Sequence, residues 1–448
     1  MALPQNYTSF ENYIEDSLAF LKQYSWIYNS PNTHLLSSKS LQDTSSDWVT
    51  YFRNISSKGL NKLAAGDVEA NAPQTLKDFF AKIKSFNPTF QRYTNEVVVD
   101  FPKNAPVGLK KKHEIVSLIP LVNEIYQKAN CDVIFDIGCG VGYISEILNR
   151  QFQYKVVGIE GSPKKVGLAE QYQKKFYSTS RNKVEYIEHM VADDSFTFMQ
   201  NLYENKLNSN GNVCIIGLHI CADLCVTVLD LFKKLDFVKG MVIMPCCYHR
   251  MLVYVGENST ESFAKFPCSK VFQRRYNLMG GNQFLKRTFL RMAAQRSNEN
   301  WKDLTKDEHE FRGKNCLFRA IIQEIAAEEN WRIKRLKRKS GLRMDESYNI
   351  KLAVDNLKDT HQLLTQDGDT IDVTEVNNKI LEKWNQYRDQ YIVIEAIIVL
   401  QNVLQSMCEN IVLLDRIEYL REMGINGFVR KVTNDVISPR CFAIVATK

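Results

Sequence analysis

No C-x-x-C pair occurs in the 448 residues, although eleven of them are cysteine. That absence removes the common spacing by which one short loop offers two thiolates to zinc or a dithiol to a redox partner. The cysteines are scattered and odd in number, which argues against a disulfide framework and for a reducing compartment. No apolar run is long enough to cross a bilayer: the stretch 392–400 is short and contains Glu395. Residues 1–22 carry Glu11, Glu15 and Asp16 and do not read as a secretory leader. Internal repeats and low-complexity tracts are also missing. The charge imbalance is small, with a net charge of +7 that permits an acidic partner without demanding one. These features point to a cytoplasmic and/or nuclear chain that uses no membrane. A hydrophobic content of 44% supplies a real core, and the length suits two or three domains.

What is present is concentrated in 133–161, VIFDIGCGVGYISEILNRQFQYKVVGIEG. An apolar run ends in Asp136, and Gly138, Gly140 and Gly142 space a turn. Ile144, Ile147 and Leu148 then mark one face of a helix, and a second apolar run ends in Glu160. This is the strand, turn, helix, strand and acid of a nucleotide-binding α/β unit. A dinucleotide fingerprint wants a third glycine where Tyr143 stands, and a phosphate-binding turn would not face Asp136, so a nicotinamide oxidoreductase is disfavoured. A sulfonium with an attached amino group would be drawn to that carboxylate. The D-x-G-x-G-x-G pattern with an acid ending the next strand resembles motif I of class I S-adenosylmethionine (SAM) methyltransferases. The resemblance implies SAM as cofactor. Gly138, Gly140 and Gly142 would lie against its methionine and sugar, and Glu160 would accept the ribose hydroxyls. A tight βα turn that binds nothing is the bland alternative.

Residues 1–105 read as a helical N-terminal region, serving either substrate recognition or as a cap. The basic-then-apolar segment 109–130 predicts a helix packed on a sheet, with a kink or break at Pro120. The first part of the α/β domain spans 106–255. Strands are expected at 155–160, 183–189, 213–218 and 240–244, with helices between them, as in a parallel sheet buried on both faces. Asp193 and Asp194 follow the third strand, where methyltransferases often place a carboxylate for the adenine amino group; a turn role is the alternative. Residues 256–385 are polar, charged and without long strand patterns, and read as a helical, basic insertion. Within it, 331–343 (WRIKRLKRKSGLR) carries seven basic residues. It reads as phosphate contacts from Arg332 to Arg343, as a solvated loop, or as a nuclear localisation tract. Residues 386–448 supply a last helix and a closing hairpin. The fold class expected is therefore α/β: a class I methyltransferase, Rossmann-like, seven-stranded sheet with an N-terminal helical region and a largely helical insertion between strands 5 and 6.

A second constellation falls at the strand ends, where doubly wound sheets bind ligands. After strand 4 comes Gly217-Leu218-His219-Ile220-Cys221-Ala222-Asp223-Leu224, and after strand 5 Pro245-Cys246-Cys247-Tyr248-His249. Methyl transfer from a sulfonium is an in-line displacement that needs proximity and sometimes a base. His219 is read as that base or as an acceptor-orienting group at the cofactor. Asp223, Cys246 and Tyr248 complete the catalytic candidates. Asp223 is alternatively a helix cap, and Cys246 a thiolate nucleophile toward a pyrimidine ring. A zinc site from His219, Cys221, Cys246, Cys247 and His249 is weighed, but no metal is expected without a C-x-x-C pair. No Asn/Asp-Pro-Pro-aromatic element follows strand 4, which argues against methylation of an adenine amine.

Several stretches together resemble the eukaryotic methyltransferase-like protein 25 family, which includes a relative named for a ribosomal-RNA adenine dimethylase domain. They are Leu109-Lys110-Lys111-Lys112-His113-Glu114, the 136–142 turn, the 217–224 and 246–248 elements, Arg291-Met292-Ala293-Ala294-Gln295, Leu413-Leu414-Asp415-Arg416 and Ser438-Pro439-Arg440. The family more often has glycine at Ala222, and serine or glycine at Cys139. The resemblance implies a SAM-binding fold and a methyltransferase, and the double cysteine is similar to that of a transfer-RNA ribose methyltransferase family. The function expected is SAM-dependent methylation of a macromolecular acceptor, RNA or protein. The alternative is a SAM-binding pseudoenzyme or scaffold in an RNA–protein complex.

Overall fold

A computed structural model describes residues 3–38, 40–95, 97–103, 105–207, 210–257, 260–295, 301–336 and 350–448. Seven strands form the principal sheet: β1 (Val133–Ile137), β2 (Lys155–Glu160), β3 (Val184–Glu188), β4 (Val213–Cys221), β5 (Val238–Cys246), β6 (Gly427–Lys431) and β7 (Phe442–Thr447). Their spatial order is β6-β7-β5-β4-β1-β2-β3. The first five are mutually parallel, and β7 runs antiparallel to both β5 and β6. This is the expected class I methyltransferase sheet.

Every residue of β1 is buried, because helices cover both faces. Ile134 packs on one side with the helices Leu109–Lys128, Tyr143–Phe152 and Pro163–Phe176. Val133, Phe135 and Ile137 point to the other, among Met199, Leu229, Phe232 and Leu413. The helix Leu109–Lys128 runs unbroken through Pro120, so of the expected kink or break the structure has no break. The proline forfeits one backbone bond, but Ile115, Leu118, Ile119, Val122 and Ile125 are buried around it and hold the turn by packing.

The chain divides into two compact units. The first comprises Met1–Ala19, Phe86–Arg296 and Met407–Lys448, and so contains the sheet. The second comprises Phe20–Ser85 and Ser297–Ser406. The stretches 1–105 and 256–385 are each shared between the two units. Asn61 illustrates the tie within the second unit: its Nδ2 donates to the Leu304 carbonyl at 2.8 Å, and its Oδ1 lies 2.9 Å from His309 Nε2. His309 Nδ1 in turn meets Glu395 Oε1 at 2.9 Å.

The stretch 253–371 also holds short strands that were not expected. Val253–Val255 pairs with Glu261–Phe263, and Arg332–Arg335, His361–Leu364 and Thr370–Ile371 form a three-stranded sheet. Strands of two to four residues are too brief to show a period. The rest of the basic segment, 337–343, lies outside the described residues. The helix Tyr391–Glu422 is apolar enough by composition to span a bilayer, but 83% of its most apolar window is buried inside the protein, as in a core helix.

Candidate functional site

The chain order reverses at β1, which has β2 on one side and β4 on the other, so the ligand crevice lies beyond their C-terminal ends. Asp136 sits there, fully buried. Ser145 Oγ donates to its Oδ2 at 2.6 Å, while Oδ1 is buried without a partner. Burial pushes the Asp136 carboxyl up to about 7, Ser145 opposes the rise, and the charge of Glu160 adds to it.

The glycines divide by role. Gly138 and Gly140 have left-handed backbone (φ +67° and +64°), and a Cβ at either would meet nothing within 4 Å. They therefore leave open room above the turn. Gly142, at φ +76°, has Tyr186 against it: a Cβ there would sit 2.1 Å from Tyr186 Oη. Tyr186 Oη donates to Glu146 Oε1 at 2.7 Å, and Ser180 Oγ to Glu146 Oε2 at 2.6 Å, so this third glycine serves a buried network under the turn.

Glu160, at the end of β2, is buried and ties the turn together. It accepts the Gly140 N–H at 3.0 Å on Oε2, and the Ser162 N–H at 3.1 Å and Lys165 Nζ at 3.2 Å on Oε1. After β3, His189 stacks on Phe198 with ring centroids 3.6 Å apart, and its Nε2 lies 2.8 Å from Ser195 Oγ. Asp193 turns elsewhere: its Oδ1 accepts Thr227 Oγ1 at 2.8 Å and pairs with Lys265. Asp194 is exposed. Asp193 is thus held away from the role of an adenine contact.

The residues fit SAM. An orphaned buried carboxylate oxygen suits a cationic group, two glycines leave space, and Glu160 stands one strand away, where ribose hydroxyls would be accepted.

His219 lies on the extension of β4 past the core, within the irregularity in its pairing between Gly217 and Ile220. Its Nε2 is 3.1 Å from Glu114 Oε2. Glu114 is almost wholly buried and also binds Lys111 at 2.7 Å and Ser438 Oγ at 2.7 Å. Burial alone would raise the Glu114 carboxyl, but hydrogen bonds from His219, Lys111 and Ser438 hold it well below the usual range. Its stabilising contribution is therefore present above the unfolded value, about 4.3, and is lost as pH falls toward the depressed folded value. Glu114→Ala is expected to cost about 2–4 kcal/mol in a urea unfolding series at pH 7, because three donors lose their acceptor.

Asp223 Oδ2 accepts the Leu252 N–H at 2.7 Å and does not cap the following helix. Ala222 holds left-handed backbone at φ +53°. Strain there costs a non-glycine residue about 1–2 kcal/mol, against about 0.4–1 kcal/mol of extra chain entropy for glycine. Ala222→Gly is accordingly expected to raise the melting midpoint by about 1–3 °C in a thermal scan.

Tyr248 is buried, donates to Glu409 Oε1 at 3.2 Å and lies under the Arg416 guanidinium. It belongs to the core and is out of reach of an acceptor, contrary to the catalytic role expected. Cys246 Sγ lies 3.0 Å from Cys221 Sγ, and Cys247 joins them, whereas neither His219 nor His249 falls in that compact group. Hydrogen bonds from Cys246 and Cys247 outweigh burial and bring the Cys221 thiol down to about 6, and burial with the charge of Cys221 pushes Cys247 up.

Residues 110–253 match the family model of a methyltransferase domain. The chain is 26% identical over 243 residues to methyltransferase-like protein 25 of Homo sapiens, covering 52% of this chain and 36% of that protein. It is 25% identical over 241 residues to the Mus musculus protein of the same name, with 52% and 37% covered. The alignments thus span little more than a third of these curated relatives. A solved RNA methyltransferase from Salinibacter ruber, in complex with S-adenosyl-L-homocysteine, is similar at 18% identity and a TM-score of 0.21, over 31% of this chain and 85% of that one.

Proposed function

We propose that this chain, a relative of methyltransferase-like protein 25 that carries a methyltransferase domain, methylates a macromolecular acceptor, RNA or protein, with SAM as donor. The observation that carries the reading is the buried, unpartnered Oδ1 of Asp136 beneath the open glycine turn. When bound, SAM would supply an electrophilic methyl group. Gly138 and Gly140 would admit the ligand, Asp136 would answer its positive charge, and Glu160 would orient its sugar. His219, held through Nε2 by Glu114, would present its other nitrogen as a base or guide for the acceptor. Asp223 and Cys246 would flank that side. The exposed Arg332, Lys334 and Arg335 would add phosphate contacts if the acceptor is RNA, with retention that falls steeply between about 50 and 200 mM salt.

The test is transfer of label from methyl-tritiated SAM into extracts of cells lacking the protein, with nuclease and protease digestion of the product. Label lost to one of the two digestions names the acceptor class. No transfer to either fraction by a chain that binds SAM would overturn the enzyme reading in favour of a binding scaffold.

A further inference from the structure

Two thiols that no short loop brings together are brought together here by strand pairing. β4 and β5 run parallel with Cys221 opposite Cys246, and their sulfurs lie 3.0 Å apart. Cys247 comes next along the chain. In continuing strand its side chain would point to the opposite face. Instead it has left-handed backbone at φ +52°, and its sulfur joins the other two. The three Sγ atoms all lie within 4.8 Å of one another, with Cys246 buried and the other two half-buried.

We propose that Cys221, Cys246 and Cys247 bind a soft divalent cation, zinc in particular, as three thiolates with the fourth position left open. A zinc–sulfur distance of about 2.3 Å in tetrahedral geometry places sulfurs about 3.8 Å apart. That spacing falls between the 3.0 Å of the Cys221–Cys246 pair and the 4.8 Å limit of the group, so small side-chain rotations suffice. Binding takes all three sulfurs as thiolates, with release of whatever protons they still carry, and no redox change occurs. Three thiolates and a dication leave a charge of −1, and Arg250 is near enough to act on both Cys221 and Cys247. Three protein ligands and one open position is the pattern of a zinc centre that takes water or an exogenous donor atom, whereas closed structural sites use four. At the ends of β4 and β5 the open position would face a lone-pair donor on the acceptor side of the crevice, separate from the Asp136 turn.

The experiment uses the full chain purified under reducing conditions, stripped of metal and titrated with Zn2+ against a chromophoric chelator. Total metal is measured in parallel by mass spectrometry, and Co2+ serves as a spectroscopic substitute. One zinc per chain is expected, with thiolate-to-cobalt absorption in the near ultraviolet. Cys221→Ser and Cys247→Ser should each weaken zinc by about a hundredfold or more, while SAM affinity in the same samples changes less than about threefold. Two results would overturn the proposal: a folded, reduced wild-type chain that takes up no zinc, or a Cys221–Cys246 disulfide that persists in reductant. A wild-type chain that takes up one zinc but binds no SAM would count against the cofactor reading and leave the metal site standing.

Discussion

Gly140→Arg is expected to leave the chain folded and to lower SAM affinity by at least about a hundredfold, some 3 kcal/mol, in calorimetry. The room above the turn decides this. A Cβ at Gly140 meets nothing within 4 Å, so the side chain enters open space at the cost of left-handed strain alone, about 1–2 kcal/mol. Its N–H still reaches Glu160, and the guanidinium then fills the crevice and repels a sulfonium. Gly142→Ala, two residues on, is expected to do the reverse. Its Cβ would collide with Tyr186 Oη, the donor to buried Glu146, and the fold itself should lose about 3 kcal/mol or more. Circular dichroism melts of the two variants separate the cases: a fall of only about 2–4 °C for Gly140→Arg and a larger fall, about 5 °C or more, for Gly142→Ala. Unchanged SAM binding by Gly140→Arg would remove the turn from the cofactor site. An unchanged melt for Gly142→Ala would remove the Tyr186 network as the reason for the third glycine.

The contrast between those two glycines also marks how far the sequence was readable. Spacing identified the turn, and apolar runs ending in Asp136 and Glu160 located β1 and β2, because a strand buried on both faces has a dense local signature. Even the closing hairpin was legible, since it needs only two apolar runs and a turn. Nothing local, however, said that Gly142 answers to Tyr186, 44 residues away. Glu114 went unnoticed as the partner of His219 for the same reason, with 105 residues between them. Tyr248 beside two cysteines read like a site residue, and only the three-dimensional position of Glu409 and Arg416 makes it core. The pairing of Cys221 with Cys246 is a matter of strand register, which no count of cysteine spacings along the chain can express. Asp193 sits in sequence where an adenine contact belongs, yet Lys265 claims it from 72 residues away.

Asp136→Asn is expected to stabilise the ligand-free chain at pH 8 while abolishing tight SAM binding, a pairing that an ordinary structural carboxylate would not produce. Burial holds the Asp136 carboxyl at about 7 in the folded chain, against about 3.9 when unfolded. Between those values the native state keeps a proton that the unfolded state has released. Stability therefore falls as pH rises through that window, and the full cost is present above about 7. Asparagine cannot ionise and still accepts the hydrogen bond from Ser145, so the variant should gain on wild type as pH rises from 4 to 8, by about 2–4 kcal/mol. The bound sulfonium favours the ionised carboxylate, so wild-type SAM affinity should rise between about pH 5.5 and 7, by up to about tenfold per unit. The variant should bind at least about a hundredfold more weakly, with no such slope, since the group that titrates is gone. Urea unfolding at pH 5 and pH 8, with calorimetry across the lower range, measures both effects. A variant that binds SAM as wild type does would show that the buried oxygen of Asp136 faces no cation. A variant no more stable than wild type at pH 8 would show that its burial carries no such cost.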